Sequence, residues 1–249
     1  MATIAAPIES PVRRDRVLPG RRFDHVFFSG MALLMLATVF AGFARSYYLA
    51  GVFHAPLPSP IIHVHGAMFS LWILLLVTQT SLVAAGRVDL HRQLGIAGFL
   101  LACTMVPFGV LAATDSLVRQ AGPVGRDPKF FYIVPLSNVL IFAFLIPFAF
   151  RFRTDSPIHK RLILIGTIAL SMAAVARWPF VHRNMPVATL VTCVFLLLLV
   201  GYDLWSTHKI HRATLWAGAF LIFVFLVRIP VGKTAAWHAF ASWVQALAR

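Results

Sequence analysis

The chain has 249 residues, 59% of them hydrophobic and 12% charged, with a mean hydropathy of +0.82. A soluble domain carries about 25% charged residues, so this chain cannot cover its apolar surface in water and needs lipid as solvent. Its net charge of +14 comes from 22 Lys and Arg against 8 Asp and Glu, set in short clusters between apolar runs, where topology signals and contacts with anionic lipid headgroups lie; no nucleic-acid motif accompanies them, and no nucleic-acid partner is expected.

Lipid leaves the backbone two choices, helices or a closed barrel. Unbroken apolar runs favour helices. Residues 1–23, "MATIAAPIESPVRRDRVLPGRRF", lack the apolar core and cleavage site of a secretory signal and read as a disordered basic tail. Apolar runs of about 20 residues then predict spans near 26–49, 61–85, 93–114, 130–150, 161–180, 186–205 and 213–229. Breakers separate them, as in "HAPLPSP" and "TDSP". Residues 24–230 thus form one seven-helix transmembrane bundle. Residues 231–249 are too short to cross and carry Trp237, Phe240 and Trp243, which suits an interfacial amphipathic helix.

The Lys/Arg bias sets the orientation. With the N-terminus cytoplasmic, 13 of the 22 basic residues fall inside, as in a multi-pass protein of a bacterial inner membrane. Cys103 and Cys193 each lie within an apolar run, which argues against a structural disulfide or zinc site. The four lysines lie in loops or at span ends, so no mid-helix Schiff base can form.

The second span opens on "PSPIIHVHGAMF". On a helix His63 and His65 stand about 200° apart, so only one can face the bundle. His65, Trp72 and Gln79 share a face at seven-residue steps. A buried Gln needs a partner, so that face should turn inward and His63 away. Three later segments start alike, "HRQLGIAG", "HKRLILIG" and "HRATLWAG". Each pairs a histidine with a glycine seven residues on: His91/Gly98, His159/Gly166 and His211/Gly218. Interfacial anchoring with close helix packing is one reading of these pairs. A haem iron held by neutral imidazoles, with small residues making room for the macrocycle, is the other. A further set of polar groups, Gln79, Asp115, Arg177, His182 and Arg228, is assigned to the outer ends of the spans as a ligand-binding cluster. Arg177 and Arg228 occupy matched "ARWP" and "VRIP" endings.

Across roughly residues 61 to 180, "HVHGAMFSLW", "GRVDLHRQLG" and "HKRLILIG…ARWP" resemble bacterial multi-span predicted membrane proteins with an H-R-x-L-G signature. More distantly the pattern looks like the transmembrane di-haem b-type cytochromes. That likeness implies haem b, with His63 or His65, His91 and His159 as ligands; the repeated opening adds His211 as a candidate. Three functions follow as alternatives. One is redox transfer through haem b, with quinone as partner. The second is a small-anion transporter or sensor using the outer cluster. The third is an accessory subunit of a partner membrane protein.

Overall fold

The computed structural model describes residues 23–56, 58–122, 125–181 and 184–249. All regular structure within them is helical: α1 (Asp24–Phe43), a π-helical turn (Ala44–Tyr48), α2 (Pro60–Ala84), α3 (Val88–Val118), α4 (Pro128–Arg151), α5 (Ser156–Val175), α6 (Met185–Thr207), α7 (Arg212–Gly232) and α8 (Ala235–Leu247). The first seven are each long and apolar enough to cross a bilayer, at mean hydropathies of 1.5 to 2.3. The chain is a seven-helix membrane protein, and its exposed leucines and phenylalanines, among them Leu33, Leu71, Leu100, Phe144, Leu197 and Phe223, form the lipid-facing belt.

Local chemistry starts these helices where it does. A proline occupies the first turn of α2, α4, α5 and α6, where its missing N–H costs nothing. Asp127, Asp155 and Asn184 cap α4, α5 and α6 through their side-chain oxygens. Two spans differ from expectation. α3 is 31 residues long, about 46 Å at 1.5 Å per residue, so it takes "HRQLG" into its first two turns. α5 ends at Val175, five residues early. Pro179 disfavours helical backbone at the residue before it, which leaves "ARWP" on the loop. "VRIP" stays helical to Gly232, so the two matched endings are not structurally equivalent.

Helices α1, α2, α3, α4 and α5 neighbour one another in a closed ring, α5 packing back on α1. α6 and α7 pack on α5 from outside the ring, and α7 also touches α4. α5 is therefore central: 67% of its most apolar stretch is buried, against 50% or less in the other spans. The ring closes at Gly42, where a Cβ would overlap the Ala174 carbonyl; only glycine lets α1 and α5 approach so closely. The rim where α1 begins, the N-terminal rim, also holds the starts of α3, α5 and α7. The opposite rim holds the starts of α2, α4 and α6. There α8 lies against α3 and α4: Ala241 is fully buried near Ala113, Leu117 and Tyr132, and Trp237 Nε1 donates to the Lys129 carbonyl at 2.8 Å. Trp243 and Leu247 stay exposed. The predicted basic tail, apart from Phe23, lies outside the described residues.

Candidate functional site

The opposite-rim half of the ring encloses a cavity of about 390 Å³. Its deep end is set by Trp72, whose Nε1 donates to Thr167 Oγ1 at 3.2 Å and whose ring meets Phe142 edge to face at 5.1 Å. Phe43, Phe69, Phe131, Val134 and Leu170 supply apolar wall. The polar wall holds His65, Ser116, Asn138, Ser171 and Arg177, with Arg119 and the tyrosines of the π-helical turn near the rim. Among the described residues no Asp or Glu lines it.

His65 faces this interior and packs on Phe69 at 4.0 Å. Its Nδ1 is sealed from solvent, with no hydrogen-bond partner among the described residues. An orphan lone pair is tolerated better than an orphan N–H, so the proton belongs on Nε2, leaving a donor there. His63 is exposed, 5.5 Å from the Tyr47 ring. Ser70 Oγ lies 2.7 Å from Tyr48 Oη, and Tyr47 Oη donates to the His63 carbonyl at 3.1 Å. The π-helical turn is thereby tied to α2 at the mouth.

The outer cluster expected from sequence is divided. Gln79 does not belong to it. Fourteen residues along a helix is about 21 Å, and α2 descends from the opposite rim, so Gln79 reaches the N-terminal rim. With its amide oriented by the network around it, Nε2 donates to His91 Nδ1 at 2.6 Å and Oε1 accepts from Gly95 N at 3.0 Å. Asp115 is engaged locally, accepting from Arg119 Nε at 2.8 Å and Ser59 Oγ at 3.1 Å. Arg177 lines the cavity, donates to the Ala173 carbonyl at 2.6 Å and sits 4.6 Å from the Phe43 ring. Arg228 stands one layer behind the wall, on Asn138 and Met172. His182 lies outside the described residues.

The repeated histidines gather at the N-terminal rim. His91 and His159 are each the fourth residue of their helix. Their rings lie 6.4 Å apart and near perpendicular, and His159 Nδ1 is 2.8 Å from the Ala149 carbonyl. His211 instead caps α7, its Nδ1 accepting from Ala213 N at 3.1 Å. Burial, aided by the Arg161 charge, holds this imidazole below its usual range. The paired glycines are filled faces: a Cβ on Gly98, Gly166 or Gly218 would meet Leu75, Phe142 or Leu196. Among the described residues no three His, Cys, Asp or Glu side chains gather around a metal-sized site.

Sequence reasoning missed a network at this rim. Asp203 is fully buried; its Oδ1 accepts from Arg161 Nε at 3.0 Å and from Arg161 Nη2, and its Oδ2 from Thr214 Oγ1 at 2.5 Å and His211 N at 3.1 Å. Asp24 pairs with Lys160 at 2.7 Å and accepts from the Tyr202 hydroxyl. The signal was a carboxylate inside an apolar run, "VGYDLW", which is costly in a span without a partner. Asn138 in "PLSNVLIF" was the corresponding signal for the cavity.

Seven spans, a lipid-facing belt and an internal cavity define a polytopic helical membrane protein. No protein-family model matches the chain, nor does any curated protein or solved structure.

Proposed function

We propose that the protein is a membrane-embedded receptor or carrier that binds a small, largely apolar molecule with one polar head in the opposite-rim cavity. One observation carries this reading. A single cavity of about 390 Å³ brings His65 from α2, Asn138 from α4 and Arg177 from beyond α5 onto an otherwise aromatic and aliphatic wall. Its size and lining suit a small-molecule site, mostly apolar with a few convergent polar groups. The Trp72–Thr167 contact closes the deep end, which favours a binding step with a gate over an open pore. The π-helical turn at the mouth is an element common at functional sites and is a natural moving part. The basic bias places the N-terminal rim on the cytoplasmic side of a bacterial inner membrane, so the cavity opens toward the outside.

The test is calorimetry on protein in lipid nanodiscs, with a panel of amphipathic solutes that includes a short-chain quinone. His65→Ala should weaken binding by about tenfold or more, and His63→Ala should leave it unchanged. Equal effects of the two, or no binding by any member, overturn the reading; the second result returns the accessory-subunit alternative.

The second reading is haem b on histidine, in line with the likeness to di-haem cytochromes. Its support is the juxtaposition of His91 and His159. A reduced-minus-oxidised visible spectrum of the purified protein checks it, and a colourless protein removes it.

A further inference from the structure

Arg228 lies four residues before the end of α7, within reach of the rim, yet it does not snorkel to water. Only 6% of it is exposed. Side chains tilt toward the N-terminus of their helix, and α7 begins at the far rim, so the guanidinium is drawn into the protein. Its partners are all neutral. Nη1 donates to Asn138 Oδ1 at 3.1 Å, Nη2 to Thr189 Oγ1 and Met172 Sδ at 3.2 Å each, and Cζ lies 4.2 Å from the Phe225 ring. No carboxylate among the described residues is within ion-pair distance of it. Arg161, equally buried, has Asp203. A buried cation without a counter-charge is costly and marks a place where an anion belongs.

The same contact fixes Asn138. A guanidinium has only donors, so Asn138 must offer it Oδ1. The amide nitrogen then turns the other way. Asn138 is 4% exposed and lines the cavity, and among the described residues its side chain's hydrogen bond is the one Oδ1 accepts from Arg228, which leaves Nδ2 to the cavity. The wall thus presents a donor polarised by the cation behind it, in a cavity that Arg177 also lines and that holds no carboxylate among the described residues.

We propose that the ligand is an organic anion, a carboxylate or similar oxyanion on an apolar body, and that Asn138 Nδ2 binds its head. Arg228 is the positioning residue: it orients Asn138 and carries the positive charge that the anionic head would balance. The proposal rests on the cavity reading above and adds the sign of the head. The carboxylate has two sources, a fatty acid from the bilayer or a water-soluble aromatic acid from outside.

The test compares octanoate, octanol and octylammonium by calorimetry at neutral pH, on the full chain in zwitterionic nanodiscs. Octanoate should bind about tenfold tighter than octanol, as a charge-assisted hydrogen bond warrants, and octylammonium weakest. Asn138→Asp replaces the donor with a carboxylate that pairs with Arg228. It should cost octanoate about tenfold, leave octanol nearly unchanged and not lower the melting temperature. Arg228→Lys keeps the charge but loses the fork, and should fall between. Octanol binding as tightly as octanoate overturns the anion and leaves the cavity reading standing. Binding of neither overturns the cavity reading itself. An octanoate preference untouched by Asn138→Asp overturns the role of Asn138. Oleate competing from within the disc upholds the lipid source, and benzoate without oleate upholds the aqueous one.

Discussion

Arg161 and Asp203 show what a fully buried ion pair needs. Both of the guanidinium's forked contacts reach Asp203, and Arg161 Nη1 also donates to the Pro157 carbonyl at 2.9 Å. The second carboxylate oxygen takes Thr214 and the α7 backbone. The network joins the ring helix α5 to α6 and α7, which pack on it from outside. Its worth lies in being complete, because a charge left alone at 4% or less exposure has no water to turn to. Asp203→Asn should therefore lower the unfolding free energy by about 3–5 kcal/mol, measured by denaturant titration in mixed micelles. The double variant Arg161→Met/Asp203→Leu should recover most of that loss, since apolar replacement of both partners strands no charge. A single variant as stable as the native chain would show that the pair contributes little.

At the scale of elements, three similar openings produced two different structures. "HRQL" and "HKRL" place histidine in the first turn of α3 and α5; "HRATL", with its leucine one position later, places it before α7 as the cap. The difference has a pH signature. A neutral His211 accepts the Ala213 N–H, and burial holds its folded pKa below the ordinary value of about 6.5. Below neutrality the unfolded chain then binds more protons than the folded one, so stability rises with pH. The contribution is complete above the unfolded pKa and is lost as pH falls through about 6.5 toward the folded value. His211→Ser replaces the ring nitrogen with an oxygen acceptor for the cap and cannot titrate. Its melting temperature should fall less than that of the native protein between about pH 7 and pH 5. Parallel curves would remove His211 from the acid response.

For the whole molecule, seven helices that each cross would put the start of α1 and α8 on opposite sides of the bilayer. The basic bias predicts which side is which, with the start of α1 on the cytoplasmic face. In a background free of Cys103 and Cys193, Thr154→Cys should react with an impermeant maleimide only after the membrane is opened. Ala248→Cys should react in intact cells. The reverse pattern would invert the topology and turn the cavity toward the cytoplasm. Span number and approximate position were legible along the chain because the thickness of hydrocarbon sets the length of an apolar run, and length is a one-dimensional property. The inward turn of His65 and Trp72 was legible too, since seven-residue spacing encodes a shared face. Which end of the bundle a residue reaches, and whom it meets there, is set by partners far away in the chain. Gln79 shares a face with His65 but lies about 21 Å from it along α2, so it serves His91 instead of the cavity. Asn138 and Arg228 are 90 residues apart and read as unrelated until α7 packs on α4. Asp203, a carboxylate inside an apolar run, finds its partner only when Arg161 arrives from α5. In hydrocarbon each polar side chain is bound to find a partner, and only the packing of one helix on another selects which one.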